Sequence, residues 1–253
     1  MIEHVRTCIE GHVKICYADT GETLVDTHND VLFGNMSSAL AHALIGNPNG
    51  FLTYLALGNG AAYVGPTGTI SYKASLGGAG ALVKNPTANL YNTVYVKKLT
   101  NDTNATPNTN ANAYISRSNL ATNFEDVIVD LTLTYDDPPK GAVASANITQ
   151  AAIDNSNFIG QVSTTGPVSA FDPDQLVFNE IALFAGTPNL FEGDSTQTVD
   201  EVNYFVNQSV DYSRVLGTRS KLMLTHAIFH PVQKAANRAI QIIYTLRIQM
   251  GAV

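Results

Sequence analysis

A chain of 253 residues with 45% hydrophobic side chains has enough apolar material for a sizeable core, and all-β domains often reach this length as one unit. A net charge of −7 with only 14% charged residues argues against the basic surface that nucleic-acid phosphates require, and no apolar run approaches the roughly 18 residues of a membrane-spanning helix. Asn and Thr are frequent and Trp is absent, a balance that favours a β-rich, loop-rich protein over a helical one.

The N-terminal segment "MIEHVRTCIEGHVKICY" carries charges throughout and has no apolar h-region, so it does not read as a signal peptide; a chain made and used in a cytoplasm, or released by lysis, is the expectation. Val13, Ile15 and Tyr17 alternate, "ADTGE" is a turn and "TLVDTH" is the return strand, with Gly11 a bulge or turn. Cys8 and Cys16, the two cysteines, read as free thiols in a reducing compartment rather than a hairpin disulfide or redox pair. "NMSSALAHALIGNPNG" is the one clear helix. Asn35 or Ser37 is its cap, Met36, Leu40 and Leu44 form its stripe, and "GNPNG" stops it. Its small residues suit packing across one end of a β core.

"FLTYLALGNG" is a strand entering a Gly turn. Its Gly-x-Gly lacks the third Gly and the following helix of a dinucleotide site. Residues 61 to 84 read as an extended loop, "NTVYVKKLT" as a short strand and "NDTNATPNTNAN" as an exposed polar loop. In "DVIVDLTLTYDD", Val127, Val129, Leu131, Leu133 and Tyr135 share one face and Asp126, Ile128, Asp130, Thr132 and Thr134 the other, the signature of a sheet with one buried face. "LVFNEIALFAG" is apolar on both faces, with Val177, Ile181 and Leu183 set against Phe178 and Phe184, so it is central or lies at an interface. Residues 186 to 213 are again polar. Strands at 221–230, ended by Pro231, and at 239–249 close the chain. In the last, Ile240, Ile242, Tyr244, Leu246 and Ile248 line one face.

His226 and His230 have His-x-x-x-His spacing. On a helix they would share a metal; on a strand they lie about 13 Å apart at ~3.3 Å per residue, and the Glu of a zincin motif is missing. Asp136-Asp137 and Asp172-x-Asp174 are carboxylate pairs without calcium-loop spacing, and Asp beside Pro is ordinary turn chemistry. The Asn-x-Ser/Thr triplets "NDT", "NAT" and "NQS" are expected by chance in an Asn- and Thr-rich chain. No catalytic, cofactor-binding or metal-ligating residue is therefore assigned, and no cofactor.

Six segments, "TGETLVDTHNDVLFGNMSSALAHAL", "YLALGNG", "NLYNTVYVKK", "VIVDLTLTYDDPP", "FNEIALFA" and "LMLTHAIFHPVQKAANRAIQIIYTLRI", together resemble virion structural proteins of tailed bacteriophages, including those of contractile-tailed phages of cyanobacteria. Similar proteins place a short helix before an (A/V)xGxG turn, then an NEIALF-like strand and a closing hairpin. The resemblance spans most of the chain and is weakest at 61–90 and 186–213. It implies no catalytic residues. The expectation is a single domain over 1–253, mainly β, an antiparallel β-sandwich or jelly-roll-like fold with one short helix and long loops at about 61–90, 98–123 and 186–213. Its expected function is non-enzymatic. It would self-assemble, with three- or six-fold related copies, and dock other virion proteins at the neck, tail or baseplate, without nucleic acid or membrane as partner. The alternatives are a carbohydrate- or receptor-binding module, using Tyr63, Tyr72, Tyr91, Tyr95 and Tyr114 as stacking surfaces, a head decoration protein, or a hydrolase, which would need convergent acids in a cleft.

Overall fold

The computed structural model describes residues 5–64, 68–78, 81–99, 111–116, 124–135, 175–186, 204–205, 222–235 and 237–252. It is mainly β, with one α-helix and antiparallel strand pairing throughout the described residues. The strands are β1 (Val5–Tyr17), β2 (Thr23–Val31), β3 (Leu52–Gly58), β4 (Ala62–Val64), β5 (Ile70–Tyr72), β6 (Thr93–Lys98), β7 (Ala111–Ser116), β8 (Phe124–Leu133), β9 (Gln175–Ala185), β10 (Tyr204–Phe205), β11 (Leu222–Met223), β12 (Thr225–Ala235) and β13 (Ile240–Ala252). The helix is α1 (Phe33–Leu44).

Eleven strands form one sheet in the order β10-β6-β3-β9-β12-β2-β1-β13-β8-β7, with β11 also paired to β9, and β4-β5 is a separate hairpin. The large sheet curls on itself, in keeping with the sandwich or jelly-roll-like expectation. One apolar cluster contains Val13, Ile15, Leu131, Ile242 and Leu246 from β1, β8 and β13 together with Leu55, Leu57, Phe178, Ile181 and Phe229 from β3, β9 and β12. Its two halves therefore face each other across a shared core. Lys97 Nζ of β6 donates to Thr132 O of β8 at 3.1 Å, joining strands near opposite ends of the order. Across the core, Tyr244 Oη of β13 donates to Thr225 Oγ1 of β12 at 2.6 Å and accepts from Asn29 Nδ2 of β2. Burial pushes the Tyr244 phenol up, so it stays a donor.

Several expected elements are found as read. Ile240, Ile242 and Tyr244 are fully buried, as are Val129, Leu131 and Leu133; Tyr135 lies beyond β8 and is exposed. β1 is longer than the alternation at 13–17 implies, and Gly11 is neither bulge nor turn. It pairs regularly with Asn29 and Leu246, and a Cβ there would stand 1.6 Å from Asn29 Oδ1. Cys8 and Cys16 are free. Both lie on β1, about 26 Å apart at ~3.3 Å per residue, far beyond disulfide reach.

Other elements differ. The N-cap of α1 is Leu32, without a side-chain bond. Asn35 lies inside the helix, donating to Asn85 O and Met223 O and accepting from Asn85 N. It binds the helix to the segment beneath instead of capping it. Met36 and Ala39 are buried, whereas Leu44 is exposed, because the stripe runs off the end of the core. The loop expected at 61–90 holds the β4–β5 hairpin, and that expected at 98–123 holds β7. Small residues and glycines around β4 and β5, and polar residues before β7, hid these short strands, whose stability comes from pairing. Pro231 does not end its strand. β12 takes four steps from Ile228 to Val232 while β9 takes two from Glu180 to Phe178, and a bulge tolerates the missing N–H of proline.

The two-faced strand β9 is central, and both its faces are covered. Phe178 nevertheless shares the main core with Ile181 and Leu183 instead of opposing them. The inward-facing parity changes at Asn179-Glu180. Beyond that point Ala182 and Phe184 turn to a second apolar cluster with Leu32, Tyr54, Ala56, Ala88, Leu90 and Met223, against which Leu76 and Ala81 pack. Thus Leu76, Ala81, Ala88 and Leu90 cover the outer face of this half of the sheet.

Candidate functional site

The change of parity in β9 aims two adjacent polar side chains at the same neighbouring loop. Asn179 Oδ1 accepts from Ala61 N at 3.1 Å, and its Nδ2 donates to Asn59 O at 3.0 Å. Glu180 Oε1 accepts from Gly60 N and Asn92 N, both at 3.0 Å. Glu180 Oε2 accepts from Tyr91 N at 3.0 Å and faces His226 Nε2 at 3.1 Å. The carboxylate thus has four donors on two oxygens, filling its acceptor positions, and a protonated acid would have to give one up. Such saturation is what permits a charge in a site without solvent access; Glu180 and His226 are both fully buried.

His226 closes the cluster from β12. Its Nδ1 accepts from Leu76 N at 3.0 Å. Because that amide can only donate, Nδ1 carries the lone pair and Nε2 the proton given to Glu180. The tautomer follows from the partners alone. Tyr91 lies beside the ring, with centroids 5.8 Å apart, and Lys73 Nζ sits 4.4 Å from the Tyr91 centroid. Burial, and secondarily the Glu180 charge, push the Tyr91 phenol up; its hydroxyl donates to Ala74 O at 2.7 Å.

Glycine makes the close approach possible. A Cβ on Gly58 would stand 2.5 Å from Glu180 Oε1 and 2.7 Å from Asn92 O, and one on Gly60 would stand 2.7 Å from Asn92 N. Neither glycine has positive φ. The Gly-x-Gly therefore serves two backbones and a carboxylate that meet closely, not a left-handed turn. Between the glycines, Asn59 Oδ1 accepts from Asn92 Nδ2 at 2.5 Å, while Asn59 Nδ2 has no acceptor among the described residues.

Four stretches distant in sequence, "GNG" at 58–60, "YN" at 91–92, "NE" at 179–180 and His226, are thus one buried polar cluster. Its chemistry is that of a clasp. The His–Glu pair resembles a general-base pair in composition, but His226 has its lone pair occupied by a backbone amide and is shut away from solvent.

The residues singled out from sequence scatter. His226 lies in the clasp, whereas His230 is exposed on the bulge of β12, its Nδ1 3.0 Å from Tyr72 Oη. The two imidazoles occupy a strand and do not converge. Among the described residues no group of three or more His, Cys, Asp or Glu is placed to hold a metal ion. Tyr95 is core. Tyr63 and Tyr72 are exposed but belong to different cross-strand pairs, Tyr63 with Ser71 and Tyr72 with Ala62, and so project to opposite faces of the hairpin. The side chain of Tyr114, the pairs Asp136-Asp137 and Asp172-x-Asp174, and the Asn-x-Ser/Thr triplets lie outside the described residues.

Glu180 was passed over in the sequence because it is a single acid. The available signal was its setting, a charge within an otherwise apolar run, which marks a charge that must find partners on folding. A scan against protein-family models and searches of curated proteins and of solved structures found no match to this chain.

Proposed function

We propose that this chain is a non-enzymatic structural component of a tailed-phage virion, at the neck, tail or baseplate, that self-assembles and docks other virion proteins. One observation carries the reading beyond the resemblance itself. The stretches that bear the resemblance, "ALGNG", "NLYNT", "FNEIALFA" and "LTHAIFH", supply the residues of the buried clasp. Their polar groups tie loops to the centre of a sheet. The residues that carry the resemblance are here used for mechanical fixation, which suits a load-transmitting subunit. Copies around a tail axis would meet through heterologous contacts that close into a ring.

The test is made on particles. Quantitative mass spectrometry of purified virions should give a copy number that is a small multiple of three or six, and labelled protein should map to the neck, tail or baseplate. Absence from particles overturns the reading. A copy number in the hundreds places the chain as a head decoration, tube or sheath subunit and overturns the assignment to neck or baseplate.

A further inference from the structure

We infer that His226 is a proton-sensitive latch for the strap formed by residues 73–78, which closes over the outer apolar face of β3, β9 and β11. The strap is anchored at both ends by backbone bonds, Lys73 N to Ala61 O at 2.8 Å and Gly78 N to Val31 O at 3.2 Å. Near its start, Ala74 O accepts from the Tyr91 hydroxyl. At its middle, Leu76 N donates to His226 Nδ1 at 3.0 Å. The Leu76 side chain packs on the second apolar cluster, whose members Tyr54, Ala182, Phe184 and Met223 are buried. After Leu76 come Gly77 and Gly78, the latter with φ +84°, so the strap has a pivot with low torsional resistance.

The latch works in one direction. With neutral His226, Nδ1 is an acceptor and the strap is held. A second proton can go only to Nδ1, since Nε2 already carries one, and that proton would face the Leu76 N–H. Two donors cannot share the contact, so the ring or the strap must move. The ring is fixed on a central strand between β9 and β2; the strap belongs to no strand. The charged and titratable groups around His226 agree with this direction. Glu180 on β9, and Asp30, its cross-strand partner on β2, attract an imidazolium, but both belong to the sheet and stay with it whether the strap is closed or open. Tyr91, beside the ring, is not part of the strap. Lys73, over the Tyr91 ring, is part of it. A proton on Nδ1 and the bond from Leu76 N thus exclude each other, so ring protonation and strap closure compete. By linkage, opening takes up a proton, and acid favours the open strap.

The experiment is amide exchange at Leu76 in the intact chain, followed from about pH 8 to about pH 5 and corrected for intrinsic exchange. A one-proton latch lowers the protection of Leu76 tenfold or more over this span, with binding of an apolar dye rising in parallel. His226→Gln places an amide where it can donate to Glu180 and accept from Leu76 without titrating, and should flatten the response. His230→Gln, which alters the other histidine near the hairpin, should leave it intact. Protection that does not change in the wild type, an undiminished response in folded His226→Gln, or loss of the response in His230→Gln overturns the proposal. If His226→Gln does not fold, nitrogen NMR of the wild-type ring decides. Nδ1 must gain its proton over the pH range in which Leu76 loses protection, and loss of protection with Nδ1 still bare overturns the latch.

Discussion

The two halves of the curled sheet are built on different terms. In the half formed by β2, β1, β13, β8 and β7, ladders run long and, apart from one shift between β1 and β2 at Ile15/Cys16, in step. β1 pairs with β13 without interruption from Val5↔Ala252 to Tyr17↔Ile240, and β13 pairs with β8 from Ile240↔Leu133 to Gln249↔Phe124. One face is apolar and buried; the other carries partly exposed groups such as the Arg247–Asp126 pair. In the half formed by β6, β3, β9 and β12, every ladder contains an irregularity, and both faces of β9 are covered. A strand with one face in water is specified by alternation, since a slip by one residue exposes its whole apolar set. A strand buried on both faces loses that restraint. Here the register is held instead by the clasp, where Asn179 and Glu180 can meet Ala61, Gly60 and Asn92 in only one alignment.

The contrast can be broken experimentally, beginning with the largest expected effect. Ile242→Asp sets an unpaired charge into the regular half's core and should leave no soluble folded protein. Gln241→Ala, one residue away, loses the bond from its Nε2 to Asp130 Oδ1 at 3.0 Å and should cost about 1 kcal/mol. Soluble expression and denaturant melts compare the two. If both fold, or neither does, the one-faced description of this half is wrong.

Glu180→Gln tests the other half. It removes one of the two acceptor oxygens from four donors and brings an NH2 group against backbone N–H groups. The expected loss is about 3–5 kcal/mol in urea unfolding. Asp126→Asn, which weakens the partly exposed bridge to Arg247, should cost less than about 1 kcal/mol. Equal losses for the two carboxylate changes would erase the distinction between halves.

Tyr244→Phe sits between these cases. It deletes the hydroxyl that links Asn29 on β2, β13 and Thr225 on β12, and should destabilise by about 1–3 kcal/mol without altering the ladders. A far larger effect would show that this bond, and not apolar packing, holds the halves together.

The fold was legible where side chains alternate against water. Val127 to Leu133 and Ile240 to Ile248 announce their buried face through period two, and α1 announces itself through Met36, Ala39 and Leu40. That much follows from the chain's own order, because local geometry converts spacing directly into which face is apolar. The clasp could not be read this way. Glu180 lies 46 residues from His226, 88 from Asn92 and 120 from Gly60, and backbone amides, which supply three of the four donors to its carboxylate, are common to every non-proline residue and leave no mark in a sequence. The reversal of parity at Asn179-Glu180, the survival of β12 through Pro231 and the use of Gly58 and Gly60 for close approach were all decided by tertiary structure. Each depends on what another strand or loop places opposite. The amino-acid order by itself determined that the protein is mainly β and which residues of its one-faced strands turn inward; the pairing of a buried carboxylate with a histidine, and the strap held over it, arose only when four distant segments met.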